Sequence, residues 1–243
     1  MKPFYDTLNE AIRSIDNSTI IMYEPATGGN VQDTFSAGFD TGPGGEKYND
    51  RNALSYHIYC PPMQTDINVK PHTDKVETVC EKFNGWQIGV RGEDTKRLKT
   101  AGILSEFGAV DVSDPLSMKL MDFTMDQTDE LLHSWTYWYM HVAEDGSNPD
   151  AKNMARTYAR KTFGVVESMK FDTASADFKL TYVGNGAAGE TEIFVSKQYN
   201  YPNGVNVSVA GGGDFVYDEA KGTVTVKQSS AAGETITVTI TKQ

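Results

Sequence analysis

Near residue 163 an alternation of helix-like and strand-like apolar patterns gives way to strand-like patterns alone, and that change constrains the fold more than any other feature. Downstream of it, FKLTYV, TEIFVS, VNVSVA, GDFVYD, GTVTVKQ and ETITVTITK read as strands separated by Gly-, Asn- or Ser-rich turns. Alternation is cleanest in Thr-Val-Thr-Val and Thr-Ile-Thr-Val-Thr-Ile, where every second side chain meets a core and the others meet solvent. Roughly 80 residues patterned this way predict a small antiparallel β-sandwich.

Upstream, helix-like and strand-like stretches take turns. PFYDTLNEAIRSID sets Phe4, Leu8, Ala11, Ile12 and Ile15 on one stripe of a helix, with Asn9 and Glu10 off that stripe and expected in solvent. Short apolar strands follow in STIIMYEP, ALSYHIYC, GILSEFGAV and SWTYWYM, and helices are expected around DKVETVCEKFNGWQIGVR and near TMDQTDELLH. Apolar strands separated by helices are the signature of parallel βα units. The predicted class is therefore α/β followed by all-β, with domains at 1–160 and 161–243; MARTYARKTFG, helical at first sight, is the junction. Polar, irregular text follows the strands (ATGGN, DTGPGGEKYND, PPMQTD, DVSD), and chemistry in parallel α/β folds gathers on such loops.

Composition excludes several partners. A net charge of −11 and a pI near 4.8 oppose nucleic acid, whose phosphates would be repelled. No Lys/Arg-rich amphipathic stretch invites a membrane surface, and no apolar run reaches the roughly 18–20 residues of a transmembrane helix. MKPFYDTLNE lacks the apolar core of about 7–15 residues found in a signal peptide; the chain enters a helix almost at once. Cys60 and Cys80 are either two unrelated thiols or a loop-closing disulfide, and the second reading implies an oxidising compartment. The sequons Asn17-Ser-Thr and Asn206-Val-Ser lean the same way. The four His are scattered with no two at ligand spacing, so neither a metal nor any other cofactor is expected.

Four successive strand ends carry Glu24, then His57 and Tyr59, then Glu106, then Trp135 and Trp138. Taken singly, each has a plain reading: a solvated loop carboxylate, a structural histidine, a core tryptophan. Their order is more informative. It resembles strands five to eight of a glycoside hydrolase family 5 (β/α)8 barrel, where strand six carries His-x-Tyr, strand seven ends in a nucleophilic Glu and strand eight bears a Trp under the sugar. Within that family the likeness is to the endoglycoceramidases, which cleave the whole glycan from the ceramide of glycosphingolipids. It is carried by YEP at 23–25, GFDTGPGGEKY at 38–48, LSYHIYC at 54–60, SEFGA at 105–109 and SWTYW at 134–138. The sandwich opening near FGVVESMKFD is similar to the β-domain that follows the barrel in that group.

The resemblance implies that Glu106 is the nucleophile of a retaining hydrolase, held ionised and oriented by Tyr59 or His57. It implies that Trp138, and less directly Trp135, faces a pyranose ring, and that Glu24 is a sugar or network ligand. The family's acid/base stands in an Asn-Glu pair at the end of strand four. Asn9-Glu10 is the one such pair here, and it lies on the first helix, ahead of every strand. A whole (β/α)8 barrel takes roughly 250 residues, and about 155 here hold four strands. The expectation is a partial barrel, strands five to eight, whose N-terminal half and acid/base lie upstream, in a protein that is extracellular or lysosomal. Its substrate would be a glycosphingolipid or another glycoside, and the chain alone would be inactive. Two rivals remain at this level: a carbohydrate- or glycolipid-binding module without catalysis, and one half of a split enzyme.

Overall fold

The computed structural model describes residues 1–25, 36–64, 72–140, 142, 144–148, 150–186, 188–228 and 232–243; ATGGN and the Thr65-Asp66 end of PPMQTD lie outside them. The chain divides into two compact units, Met1–Tyr139 and Met140–Gln243.

The first unit opens with α1 (Lys2–Arg13) and continues β1 (Ile21–Tyr23), β2 (Asn52–Ile58), α2 (Asp74–Leu98), β3 (Ala101–Phe107), α3 (Pro115–Glu130) and β4 (Ser134–Trp135). The strands form one sheet in the order β1-β2-β3-β4, every pair parallel. The helix ends follow local chemistry. Thr73 caps α2 by accepting from the Val76 N–H, Asp74 and Glu77 fill its first turn, and Lys96 and Arg97 its last. Asp114 caps α3 ahead of Pro115, accepting from the Leu116 and Ser117 N–H groups. Tyr23, Phe39, Leu54 and Leu98 form a buried cluster under β1 and β2, with Tyr5 of α1 packed against it.

The first helix corrects the sequence reading. Asn9 is buried, whereas Phe4 (58% exposed), Leu8, Ile12 and Ile15 (91%) face outward. The physical reason is the segment that α1 packs on. Asp6 accepts from the Gly44 N–H at 2.9 Å, and the Asn9 amide lies so close to Gly44 that a Cβ there would meet it at 2.2 Å. Arg13 donates to the carbonyls of Thr19 and of Arg51, the latter at 2.8 Å. The helix thus spends its polar side on backbone inside the unit and leaves its apolar stripe uncovered. Met22, on the opposite face of β1 from Ile21 and Tyr23, is likewise 57% exposed. Glu10 is exposed, as expected.

In the second unit the helical look of MARTYARKTFG gives way to structure: α4 covers only Ala151–Met154, and Tyr158–Lys161 is strand β5. Then come β6 (Gly164–Phe171), β7 (Phe178–Gly184), β8 (Gly189–Phe194), β9 (Val205–Ala210), β10 (Asp214–Asp218), β11 (Thr223–Gln228) and β12 (Thr235–Lys242). They form two antiparallel sheets, β10-β11-β8-β5 and β6-β7-β12-β9. Leu180, Tyr182, Ile236, Val238 and Ile240 of one sheet and Ile193, Val224 and Val226 of the other share a single core in which each is 0% exposed. The two sheets are therefore a sandwich, as the alternation required. Unit two begins at Met140 and includes β5, whereas the sequence placed the boundary at 160/161.

Candidate active site

Because the four strands run parallel, their C-terminal ends share one rim. Glu24 immediately follows β1, His57 lies near the end of β2 with Tyr59 just beyond it, and Glu106 is the penultimate residue of β3.

Glu106 reaches its neighbours through a bulge. The β2–β3 register runs Tyr56↔Leu104 and then His57↔Glu106, so Ser105 is an extra residue on β3. In an unbroken ladder His57 would sit opposite Ser105, and a one-residue slip turns a side chain to the other face. The bulge is held from both sides. The Ser105 and Ser55 hydroxyls lie 2.6 Å apart, and the Thr136 hydroxyl donates to the Ser105 carbonyl at 2.6 Å.

Two side chains then converge on one oxygen. Tyr59 donates its O–H to Glu106 Oε2 at 3.1 Å, and His57 Nδ1 lies 3.3 Å from the same atom. Among the described residues both of these contacts fall on Oε2 and none on Oε1. Burial first, and the bond to Glu106 second, hold the Tyr59 phenol above the ordinary tyrosine range, so it remains a proton donor over the working pH range. On the far side of the imidazole, His57 Nε2 lies 3.4 Å from Glu24 Oε1. Glu24, His57 and Glu106 thus form a row, each about 30% exposed at the side chain (28%, 31% and 31%).

SWTYWYM is strand only at Ser134–Trp135, with a single parallel bridge further on between Gly108 and Trp138. That bridge sets the second tryptophan beside the end of β3. Trp138 N–H donates to the Phe107 carbonyl at 2.8 Å, and the Trp138 carbonyl accepts from the Ala109 N–H at 2.6 Å. Gly108 makes the approach possible: at φ 118°, a Cβ there would meet the Tyr137 ring at 2.3 Å and the Trp138 carbonyl oxygen at 2.6 Å. Trp138 is half exposed and available to a ligand, while Trp135 packs edge-on against Phe107 at 5.6 Å. Cys60 and Cys80 are disulfide-bonded, tying the residue after Tyr59 to α2.

Sequence reasoning missed three parts of this arrangement. The Ser105 bulge and the clearance role of Gly108 emerge only when strands pair; the polar Ser at the start of SEFGA was the available signal. The third is a link between the segment leading into α2 and the start of α3: His72 Nδ1 lies 2.5 Å from Asp114 Oδ2, which also accepts from the Ser117 hydroxyl at 2.7 Å. Nothing local marks residues 42 positions apart as partners.

The arrangement offers a carboxylate with two supports on one oxygen, beside an exposed indole. Known proteins share its frame. The model of the glycoside hydrolase family 5 C-terminal domain matches residues 156–240, which contain β5 to β11 and most of β12. An endoglycoceramidase of Cyanea nozakii is 30% identical over 99% of this chain and 48% of its own length. One of Hydra vulgaris is 30% identical over 86% of this chain and 38% of its own. The chain is endoglycoceramidase-like, and its second unit holds the family 5 C-terminal domain match. It spans about half the length, or less, of these curated relatives. The same endoglycoceramidase-like frame recurs in the solved endo-glycoceramidase II from Rhodococcus sp., with a TM-score of 0.78 and 20% identity over 100% of this chain and 54% of that one. At that identity the likeness is one of fold, and it extends over both units.

Proposed function

We propose that these residues are the C-terminal part of a retaining glycosidase that hydrolyses the bond between glycan and ceramide in glycosphingolipids. In this reading β1 to β4 are strands five to eight of a (β/α)8 barrel, and the sandwich is its C-terminal domain. The observation that carries it is the convergence of Tyr59 and His57 on Glu106 Oε2 at the C-terminal rim of a parallel sheet, where barrel chemistry resides.

Glu106 Oε1 attacks the anomeric carbon as the bond to the ceramide oxygen breaks, and a general acid delivers its proton to that oxygen. The same group then removes a proton from water, which displaces the glycan from Glu106 and restores the carboxylate. Trp138 lies under the sugar, with Trp135 bracing the strand behind it. The acid stands on strands upstream of these residues. Glu24 faces His57 rather than a leaving group, and Glu10 projects from α1. The bare stripe of α1 and the exposed Met22 support the same conclusion, since both present apolar surface to whatever completes the barrel. A separately encoded N-terminal half would satisfy that surface equally well, which keeps the split-enzyme reading open. The Cys60–Cys80 disulfide supports an extracellular or lysosomal setting. Ganglioside GM3 is bound by one solved Rhodococcus structure of TM-score 0.79, which supports a lipid-linked oligosaccharide as substrate.

The test is release of intact oligosaccharide from a labelled ganglioside by the chain extended at its N-terminus to the length of its relatives. The extended chain is expected to turn over, the 243 residues alone are not, and Glu106→Gln is expected to cost on the order of 10³-fold or more. Full turnover by the Glu106→Gln variant would remove the proposal.

A further inference from the structure

Glu24 has no role in the steps above, yet its place is tightly defined. Its backbone N–H donates to the Tyr5 hydroxyl at 3.0 Å. Tyr5 in turn stands edge-on to Tyr23 and to Phe39, both at 6.1 Å, in the cluster beneath β1. The first residue after β1 is thereby pinned to α1. From that anchor the Glu24 carboxylate meets His57 Nε2 at 3.4 Å, while Nδ1 of the same ring meets Glu106 at 3.3 Å.

An imidazole has two nitrogens and can present both to carboxylates in only one of its two ring orientations. Turning the ring over about Cβ–Cγ would replace each nitrogen by a carbon. Glu24 favours the orientation that keeps Nδ1 on Glu106, because only that orientation sets a nitrogen rather than a carbon against each carboxylate. We infer that Glu24 is a positioning residue for the nucleophile, acting through His57 and anchored by Tyr5, rather than a ligand of the sugar. This rests on Glu106 being the nucleophile. A chain of contacts then runs from α1 through Tyr5, Glu24 and His57 to the reacting carboxylate, with Tyr59 bracing the same oxygen independently.

The two roles for Glu24 separate in steady-state kinetics. A positioning residue acts on the reacting geometry, and misplacement by an ångström costs up to about 10²-fold; a sugar ligand acts on binding. In the N-terminally extended enzyme, Glu24→Gln is expected to lower kcat by about 10- to 100-fold with KM changed less than about threefold. Tyr5→Phe, which removes the hydroxyl that fixes Glu24, is expected to move kcat in the same direction by a smaller factor, and it serves if Glu24→Gln folds poorly. In this chain alone, the downfield imidazole N–H proton resonance of His57 is expected to move upfield in Glu24→Gln while the backbone amide spectrum away from the site stays unchanged, which separates loss of this contact from a general loss of packing. A raised KM with kcat retained, or no kinetic change in either variant, overturns the inference. Glu106→Gln measured alongside keeps the outcomes apart: if it stays active the nucleophile assignment has failed, and if it alone is inactive only the role of Glu24 has.

Discussion

His133 makes the stability of the first unit depend on pH in a way that can be worked out. It precedes β4, is 5% exposed, and is enclosed by the Tyr56 hydroxyl at 2.7 Å on Nδ1 and the Thr95 hydroxyl at 3.1 Å on Nε2. Gly102 lies so close that a Cβ there would meet the ring at 2.5 Å. Burial depresses the imidazole from its ordinary 6.5 to about 4, because the charged form cannot be solvated. Between those values the unfolded chain binds a proton that the folded chain does not, so stability falls as pH is lowered through this window and levels off below about 4. One pKa unit corresponds to about 1.4 kcal/mol, so the full loss is about 3 kcal/mol. The assay is urea unfolding followed by tryptophan fluorescence at a series of pH values. All three tryptophans, Trp86, Trp135 and Trp138, lie in Met1–Tyr139, so the signal reports this unit and not the sandwich. Asp94 and Asp114, held below the usual carboxylate range, also lose stabilisation in acid, so the comparison is with His133→Gln. That variant is expected to be less stable at pH 7 and to show a shallower decline between pH 6.5 and 4. Equal slopes would refute the reasoning.

Three further outcomes follow from particular contacts. Gly108→Ala forces a Cβ into the Tyr137 ring and the Trp138 carbonyl at a positive φ, so it is expected to cost about 1–3 kcal/mol and to weaken glycan binding through Trp138, read by unfolding and by titration with a soluble oligosaccharide. Reducing Cys60–Cys80, which closes a separation of 20 residues, is expected to lower the stability of the first unit by about 3 kcal/mol in the same fluorescence assay; an unchanged midpoint would show that the bridge constrains nothing. Tyr59→Phe in the extended enzyme removes one of two supports on Glu106 Oε2 and is expected to lower kcat while leaving KM near its original value; a rise in KM alone would mean that the hydroxyl serves the substrate instead.

The strands were legible because burial on one face imposes a period that survives in the sequence, as Thr235–Lys242 shows with its inward Ile236, Val238 and Ile240. The strand-end residues were legible because a charge or an imidazole in an apolar run stands out. What was not legible depends on partners distant in sequence. The stripe Phe4-Leu8-Ile12-Ile15 signals apolar surface seeking cover, but periodicity does not say whether that cover lies within these residues; here the polar side of α1 found the Gly44 loop and the stripe stayed bare. Helix α2 hid its packing for a related reason: Glu77, Asn84, Gln87, Arg91 and Asp94 are all buried, and ion pairs such as Arg91–Asp94 at 2.8 Å stand where an apolar stripe would have marked the inward face. Tyr158–Lys161 became strand because Phe194 and Ile193 of β8 were there to pair with it, which no local propensity records. The pairing of Glu24 with Glu106 across His57 has the same character, since three strands must assemble before the row exists.

The central claim is that Glu106 forms a covalent bond to the sugar, and trapping that bond tests it most directly. A 2-deoxy-2-fluoro glycoside with a good leaving group, incubated with the N-terminally extended enzyme, slows breakdown of the intermediate so that peptide mass mapping can locate it. The account predicts one glycosyl adduct on the peptide carrying Ser105-Glu106-Phe107, absent from Glu106→Gln. An adduct on any other carboxylate, Glu24 included, or turnover of a ganglioside without any adduct, would contradict it.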